Sequence, residues 1–314
     1  MANPLAVRTR SGLTETSHDG AVAVFDHSGS LVIGSGDIDR VFYLRSSAKP
    51  FQAFVAQRAG AGLSRQQLAI ACASHDGDPV HIAIVGQMLD EVGLDENALG
   101  CPASFPIGER ARDLVTRLNT KPRRIWHNCS GKHAAWLRAC VANSWPLDTY
   151  LDPEHPLQVR IREEVSALGG FSVDPVGIDG CGAPVLRTTV RSMALMFMRF
   201  ATDARLQETF DAMHTYPALV SGVGNGDTLL ATAFHGAAKR GAAGCIGVAI
   251  KGQFGLAAKA WDGIGQVADI AVANALARMI PLVPAAAGAL ADVLRPPVLG
   301  GGQVVGHLES RLEL

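Results

Sequence analysis

Ala21-Val22-Ala23-Val24-Phe25 and Leu31-Val32-Ile33 are two short apolar runs separated by Asp26-His27-Ser28-Gly29-Ser30. Turn-forming residues between β-formers predict an antiparallel hairpin. The pattern returns far downstream, where residues 245–250 and 254–260 flank Lys251-Gly252-Gln253. Residues 303–308 read as a last strand. Strands at both ends of a chain commonly join one sheet, with what lies between forming helices on it. Between the hairpins, spacing and start signals predict helices over 50–59, 79–92, 109–118, 133–142, 156–168, 187–200 and 205–214. Pro50, Pro79 and Pro156 each suit a first-turn position. A long Ala/Val helix is expected over 264–280, and a loop or weak helix over 281–297. The fold class expected is α+β: one unit with two lobes. An antiparallel sheet lobe spans about 17–45 and 239–314, and a mainly helical portion about 46–238.

Composition narrows the function classes. Lys plus Arg number 28 and Asp plus Glu 29, a net charge of −1 with no basic face for nucleic acid or an anionic membrane. Charged residues make up 18%, against a usual ~25%, while 47 alanines and 34 glycines favour close packing. Tight helix packing between subunits is compatible with this, and a homodimer is expected. No apolar run reaches the ~18 residues of a membrane span. Arg8 and Arg10 are not followed by the apolar stretch of a secretory signal. The six cysteines are widely scattered in a chain large enough to need no disulfide staple. A cytoplasmic protein with reduced thiols is expected.

Chemistry concentrates in four segments. In Arg45-Ser46-Ser47-Ala48-Lys49-Pro50, Ser46 and Lys49 share a face if the turn is helical. A helix N-terminus and burial both disfavour an ammonium, and a neutral Lys49 could take the proton of Ser46. This is the Ser-x-x-Lys spacing of serine acyl-transfer enzymes; an N-cap serine beside a solvated lysine is the plain alternative. The second segment is Ser74-His75-Asp76-Gly77-Asp78, a substrate-facing loop or simply a helix cap. The third is His127-Asn128-Cys129-Ser130-Gly131-Lys132-His133, and the fourth Asp179-Gly180-Cys181-Gly182. Cys129 and Cys181, with Asp179 and a neighbour, would suit a tetrahedral zinc site; two buried thiols or a disulfide are the alternatives. Cys72, Cys140 and Cys245 lie in apolar stretches and read as small core residues. Lys239-Arg240-Gly241 precedes the second hairpin, and Lys251 and Lys259 are further lysines of interest.

Taken together, Arg45-Ser-Ser-Ala-Lys-Pro-Phe-Gln, Ala73-Ser-His, His127-Asn-Cys-Ser-Gly-Lys-His, Asp179-Gly-Cys-Gly-Ala-Pro and His214-Thr-Tyr-Pro-Ala-Leu-Val-Ser-Gly resemble the rhizobial-type (class 3) L-asparaginases. The resemblance runs from about Ser17 to Ala277. It implies a fold similar to serine β-lactamases and serine glutaminases, and hydrolysis of L-asparagine to L-aspartate and ammonia. It implies catalytic roles for Ser46 and Lys49, and for Ser74 with a late-sheet lysine matched by Lys239. Ala243 stands where that family has an acidic residue, and Lys251 and Lys259 remain rivals for the lysine. It implies zinc held by Cys129, Lys132 and Cys181, with Arg45, Asn128, His133 and Asp179 lining the substrate. Other readings on the same residues are a glutaminase or other amidohydrolase, a zinc–water hydrolase using Cys129, Asp179 and Cys181, and an inert amino-acid-binding protein.

Overall fold

The structure is a computed structural model that describes residues 4–312. At its centre is a five-stranded antiparallel sheet. Its strands run in the spatial order Leu31–Ser35, Gly20–Asp26, Phe254–Ala260, Cys245–Ile250, Ala237–Gly241. Both expected hairpins are present, and the strand Gly20–Asp26 joins them by pairing with Phe254–Ala260.

Side-chain size alternates across this sheet with the two-residue period of a strand. Val22, Val24, Ile246, Val248 and Leu256 enter one apolar core, with the helix Gly265–Met279. Ala21, Ala23, Ala249 and Ala257 enter the other, with the helix Val190–Thr202. That second helix carries the bulk itself, as Met193, Met196, Phe197 and Phe200. Small residues on the strands let it lie close. A Cβ at Gly247 would overlap the Phe197 ring, and one at Gly255 would overlap the Met198 backbone. Phe51 and Phe200 pack edge-on against Phe197 and against each other. The helical portion thus grips the sheet through one aromatic cluster, and Phe51 sits two residues after Lys49.

Several elements differ from expectation. The last strand, Gln303–Ser310, joins a separate four-stranded sheet with Pro297–Gly300, Ala6–Arg10 and Leu13–His18. Arg187 does not start a helix: Arg187–Thr188 pairs with Phe42–Tyr43. Thr189 is the N-cap there, its hydroxyl accepting the Ser192 N–H at 3.1 Å. The helix placed at 133–142 begins a turn earlier, as Ser130–Asn143. Lys239 lies in the strand Ala237–Gly241, which precedes and pairs with Cys245–Ile250, the first strand of the second hairpin. Residues 281–297 hold two short helices, Pro284–Ala289 and Ala291–Leu294.

Candidate active site

Ser46 lies in the 3₁₀ turn Arg45–Ala48, which runs directly into the helix Lys49–Ala56. Ala48 and Lys49 both have right-handed helical dihedrals, so Ser46 and Lys49 sit one turn apart. Arg45, just before Ser46, has φ +51°, the left-handed region that a long side chain enters at a cost of about 1–3 kcal/mol. Its guanidinium is fixed by a 2.7 Å bond to Asp179. A strained residue held in place directly before the serine sets the direction of the turn.

Lys49 is buried and donates to the Ala73 carbonyl at 2.5 Å and to the Ser74 hydroxyl at 2.9 Å. Its bond therefore runs to Ser74 rather than to Ser46. Lys239 is also buried, donating to the Arg240 carbonyl at 2.9 Å and lying 3.6 Å from the Asp227 carboxylate. Burial pushes Lys239 down to about 8, with Lys49 adding to the fall and Asp227 opposing it. Ser46, Ser74, Asp76, Asn128, Asp227 and Lys239 line one pocket of about 310 Å³. A larger cleft of about 410 Å³, at Arg58, Arg160 and Glu163, contains none of these groups. Lys251 is exposed and paired with Asp211, while Lys259 bonds the carbonyls of Ala243 and Ala260. Of the three late lysines, Lys239 is the one that shares a pocket with both serines.

A second cluster adjoins the first. Cys129 is the N-cap residue of the helix Ser130–Asn143, which places Lys132 and His133 in its first turn. Cys181 lies in the tight turn between Gly177–Ile178 and Pro184–Val185, which closes by bonds between Asp179 and Ala183 and between Gly182 and Asp179. The turn delivers Cys181 to Lys132, whose ammonium donates to the thiol sulfur at 3.3 Å and lies over the Trp136 ring. A hydrogen bond with Cys181 and the charges of Lys49 and Lys132 hold Cys129 well below the ordinary thiol range, against the effect of burial. Burial alone would depress Lys132, but Cys181, Cys129 and Asp179 together raise it. Burial likewise acts to raise Asp179, and Lys132, the Gly180 N–H and Arg45 bring it below the usual range. Burial takes His133 down to about 4; its Nδ1 bonds the Tyr150 hydroxyl at 2.6 Å, and its Nε2 is buried without a hydrogen-bond partner.

The donors expected to hold zinc therefore converge: two thiols and a lysine amine, buried together beside an unpartnered imidazole nitrogen. Soft sulfur donors suit zinc. Among the described residues, no group of three or more His, Cys, Asp or Glu side chains is placed to hold a metal ion, and this set includes a lysine. All six cysteines are free and buried. Cys140 and Cys245 are pushed up to about 11 and Cys101 to about 12, chiefly by burial, as for inert core thiols.

Three polar pocket residues escaped the sequence reading: Ser221, Asn225 and Asp227. They come from the loop and first turn ahead of Leu229. That loop docks on the Ser74 segment through backbone bonds from Ser74 to Val220 and from Asp76 to Ser221. Polar residues in Ser221 to Asp227 were the available signal.

A family model described as L-asparaginase II matches residues 6–310. No curated protein sequence matches the chain. Among solved structures, Mglu in its native form is 16% identical over 85% of this chain and 66% of its own, with a TM-score of 0.45. Mglu in its native form in 4.3 M NaCl gives 16%, 86%, 62% and 0.49. A Bacillus glutaminase gives 12%, 84%, 92% and 0.37. The chain spans less than two thirds of the length of the Mglu chains. No helix of the described residues is long and apolar enough to cross a membrane.

Proposed function

The chain belongs to the L-asparaginase II family, and from that premise we propose that it is a serine amidohydrolase that converts L-asparagine to L-aspartate and ammonia. The observation that carries this reading is the lysine between two serines: Lys49 is 2.9 Å from the Ser74 hydroxyl and one helical turn from Ser46, and both serines line one pocket with Lys239.

Ser46 is the nucleophile. As its oxygen attacks the side-chain amide carbon, its proton passes to the Lys49 amine. The negative charge that develops on the amide oxygen is stabilised by backbone N–H groups near the helix start. Ser74, bonded to Lys49 and facing Lys239 across the pocket, relays the proton to the amide nitrogen. The C–N bond breaks, ammonia leaves, and an aspartyl ester remains on Ser46. Water then adds to the ester, aspartate departs, and Ser46 regains its proton. The depressed Lys239 supplies a second amine able to exchange a proton near neutral pH.

Cys129, Lys132 and Cys181 would hold a zinc ion, with Asp179 and His133 beside it. Bound there, zinc supplies a fixed positive charge that orders the turn carrying Asp179. Cytoplasmic location and a homodimer complete the reading.

The test is ammonia release from asparagine and glutamine side by side. Turnover of asparagine that is abolished in Ser46→Ala is expected. Turnover that persists in Ser46→Ala but stops on chelation would replace this reading with zinc–water hydrolysis.

A further inference from the structure

An asparagine pocket must also recognise an amino group, and Ser46, Lys49, Ser74 and Lys239 act on the amide. The segment Ser74-His75-Asp76 answers this by its backbone. The Ser74 N–H donates to Val220 at 2.9 Å and the Asp76 N–H to Ser221 at 2.8 Å, both on one neighbouring loop. The His75 N–H between them donates elsewhere, to Asn128 at 3.2 Å. N–H groups that alternate between two partners mark an extended run, in which residues two apart send their side chains the same way. Ser74 and Asp76 accordingly line the pocket, while His75 is buried against the Ser130 hydroxyl at 2.9 Å.

Asp76 is built into its place. Both carboxylate oxygens accept from the Asn225 amide, at 3.1 and 3.0 Å, and the same amide donates to the Ser221 hydroxyl at 2.9 Å. A Cβ at Gly222 would overlap the carboxylate, so the loop leaves room for it only as glycine. The Asp76 backbone is bonded on both sides, through its N–H to Ser221 and its carbonyl to Gly108. Among the described residues no lysine or arginine pairs with it. Burial raises it above the usual carboxylate range, Asn225 opposes this, and Asp78 and Asp227 raise it further. A half-buried carboxylate with neighbours of its own sign gains from an incoming cation.

We infer that Asp76, held by Asn225, binds the α-ammonium of the substrate and so selects amino-acid amides over amides that lack the amine. This rests on the amidohydrolase reading above.

The experiment compares L-asparagine with succinamic acid, which has the same amide and carboxylate and no amine. The wild-type chain should prefer asparagine by roughly 10- to 100-fold in kcat/KM, the range of one charge-assisted hydrogen bond. Asp76→Asn should lose at least tenfold more on asparagine than on succinamate, chiefly through KM. Asp76→Ser is read the same way where the asparagine variant is insoluble. Equal use of both substrates by the wild type, or an equal loss on both in the variants, overturns the assignment while leaving the amidohydrolase reading standing. Ammonia from neither substrate would overturn the reading itself, and this inference with it.

Discussion

Replacing Asp227 with asparagine should move the acid limb of the kcat/KM profile to lower pH. Lys239 is buried in the strand Ala237–Gly241 and titrates at about 8 because burial disfavours its ammonium. The groups that face it are Asp227, Lys49, Cys129, Arg240 and Cys72. Of these, Asp227 is the nearest opposite charge, at 3.6 Å, and opposes the fall. At that distance an effective dielectric of ~20 gives about 5 kcal/mol, an upper bound of roughly 3 pKa units. Relaxation of the pocket reduces this, so a shift of at least ~1 unit is the expectation. A base works when neutral, so activity rises with pH through the Lys239 pKa. Removing the carboxylate makes the neutral amine available at lower pH, and the limb follows it down. Steady-state ammonia release from pH 5 to 10 measures it, with circular dichroism at each pH to confirm folding. A limb that stays put in a folded variant, or moves up, would refute the role given to Lys239.

Ser46→Ala and Lys49→Met should each lower kcat by at least ~10³, and the double variant should be hardly worse than either, because groups acting as a unit are non-additive. Additive losses in steady-state assays would argue against the pairing. Elemental analysis should find about one zinc per chain, released in Cys181→Ser, as a single thiolate site requires. Metal-free protein with the two thiols oxidised to a disulfide would retire that site. Phe197→Ala should cost about 3–5 kcal/mol by chemical denaturation, since the ring fills the space that Gly247 and Gly255 leave between helix and sheet. A loss under about 1 kcal/mol would mean that the helix collapses into the gap.

The five-stranded sheet was legible because its hairpins keep a two-residue period and turn residues between them. Val22, Val24, Ile246 and Val248 announce a buried face without tertiary information. The second sheet was not legible. Leu13–His18 is exposed at every position but His18, so no apolar alternation marks it, and pairing with Ala6–Arg10 defines it. The Arg187 boundary failed for a related reason, since the strand pair Phe42–Tyr43 with Arg187–Thr188 is two residues long. In the site, Ser46 and Lys49 were visible because a helical turn relates them. The partners of the second serine were not: the resemblance pointed Ser74 to Lys239, while its hydrogen bond is with Lys49. Asp227 and Asn225 reach the pocket through loop-to-loop backbone bonds, for which sequence has no period.

The central claim is a covalent intermediate on Ser46. It is tested most directly by quenching the protein with acid during turnover of L-asparagine and mapping the peptides by mass spectrometry. The account predicts an aspartyl ester on the peptide spanning Arg45 to Lys49, fragmenting to Ser46 rather than Ser47, and absent from Ser46→Ala. Ammonia release with no ester on any serine, or with the ester on Ser74, would contradict it.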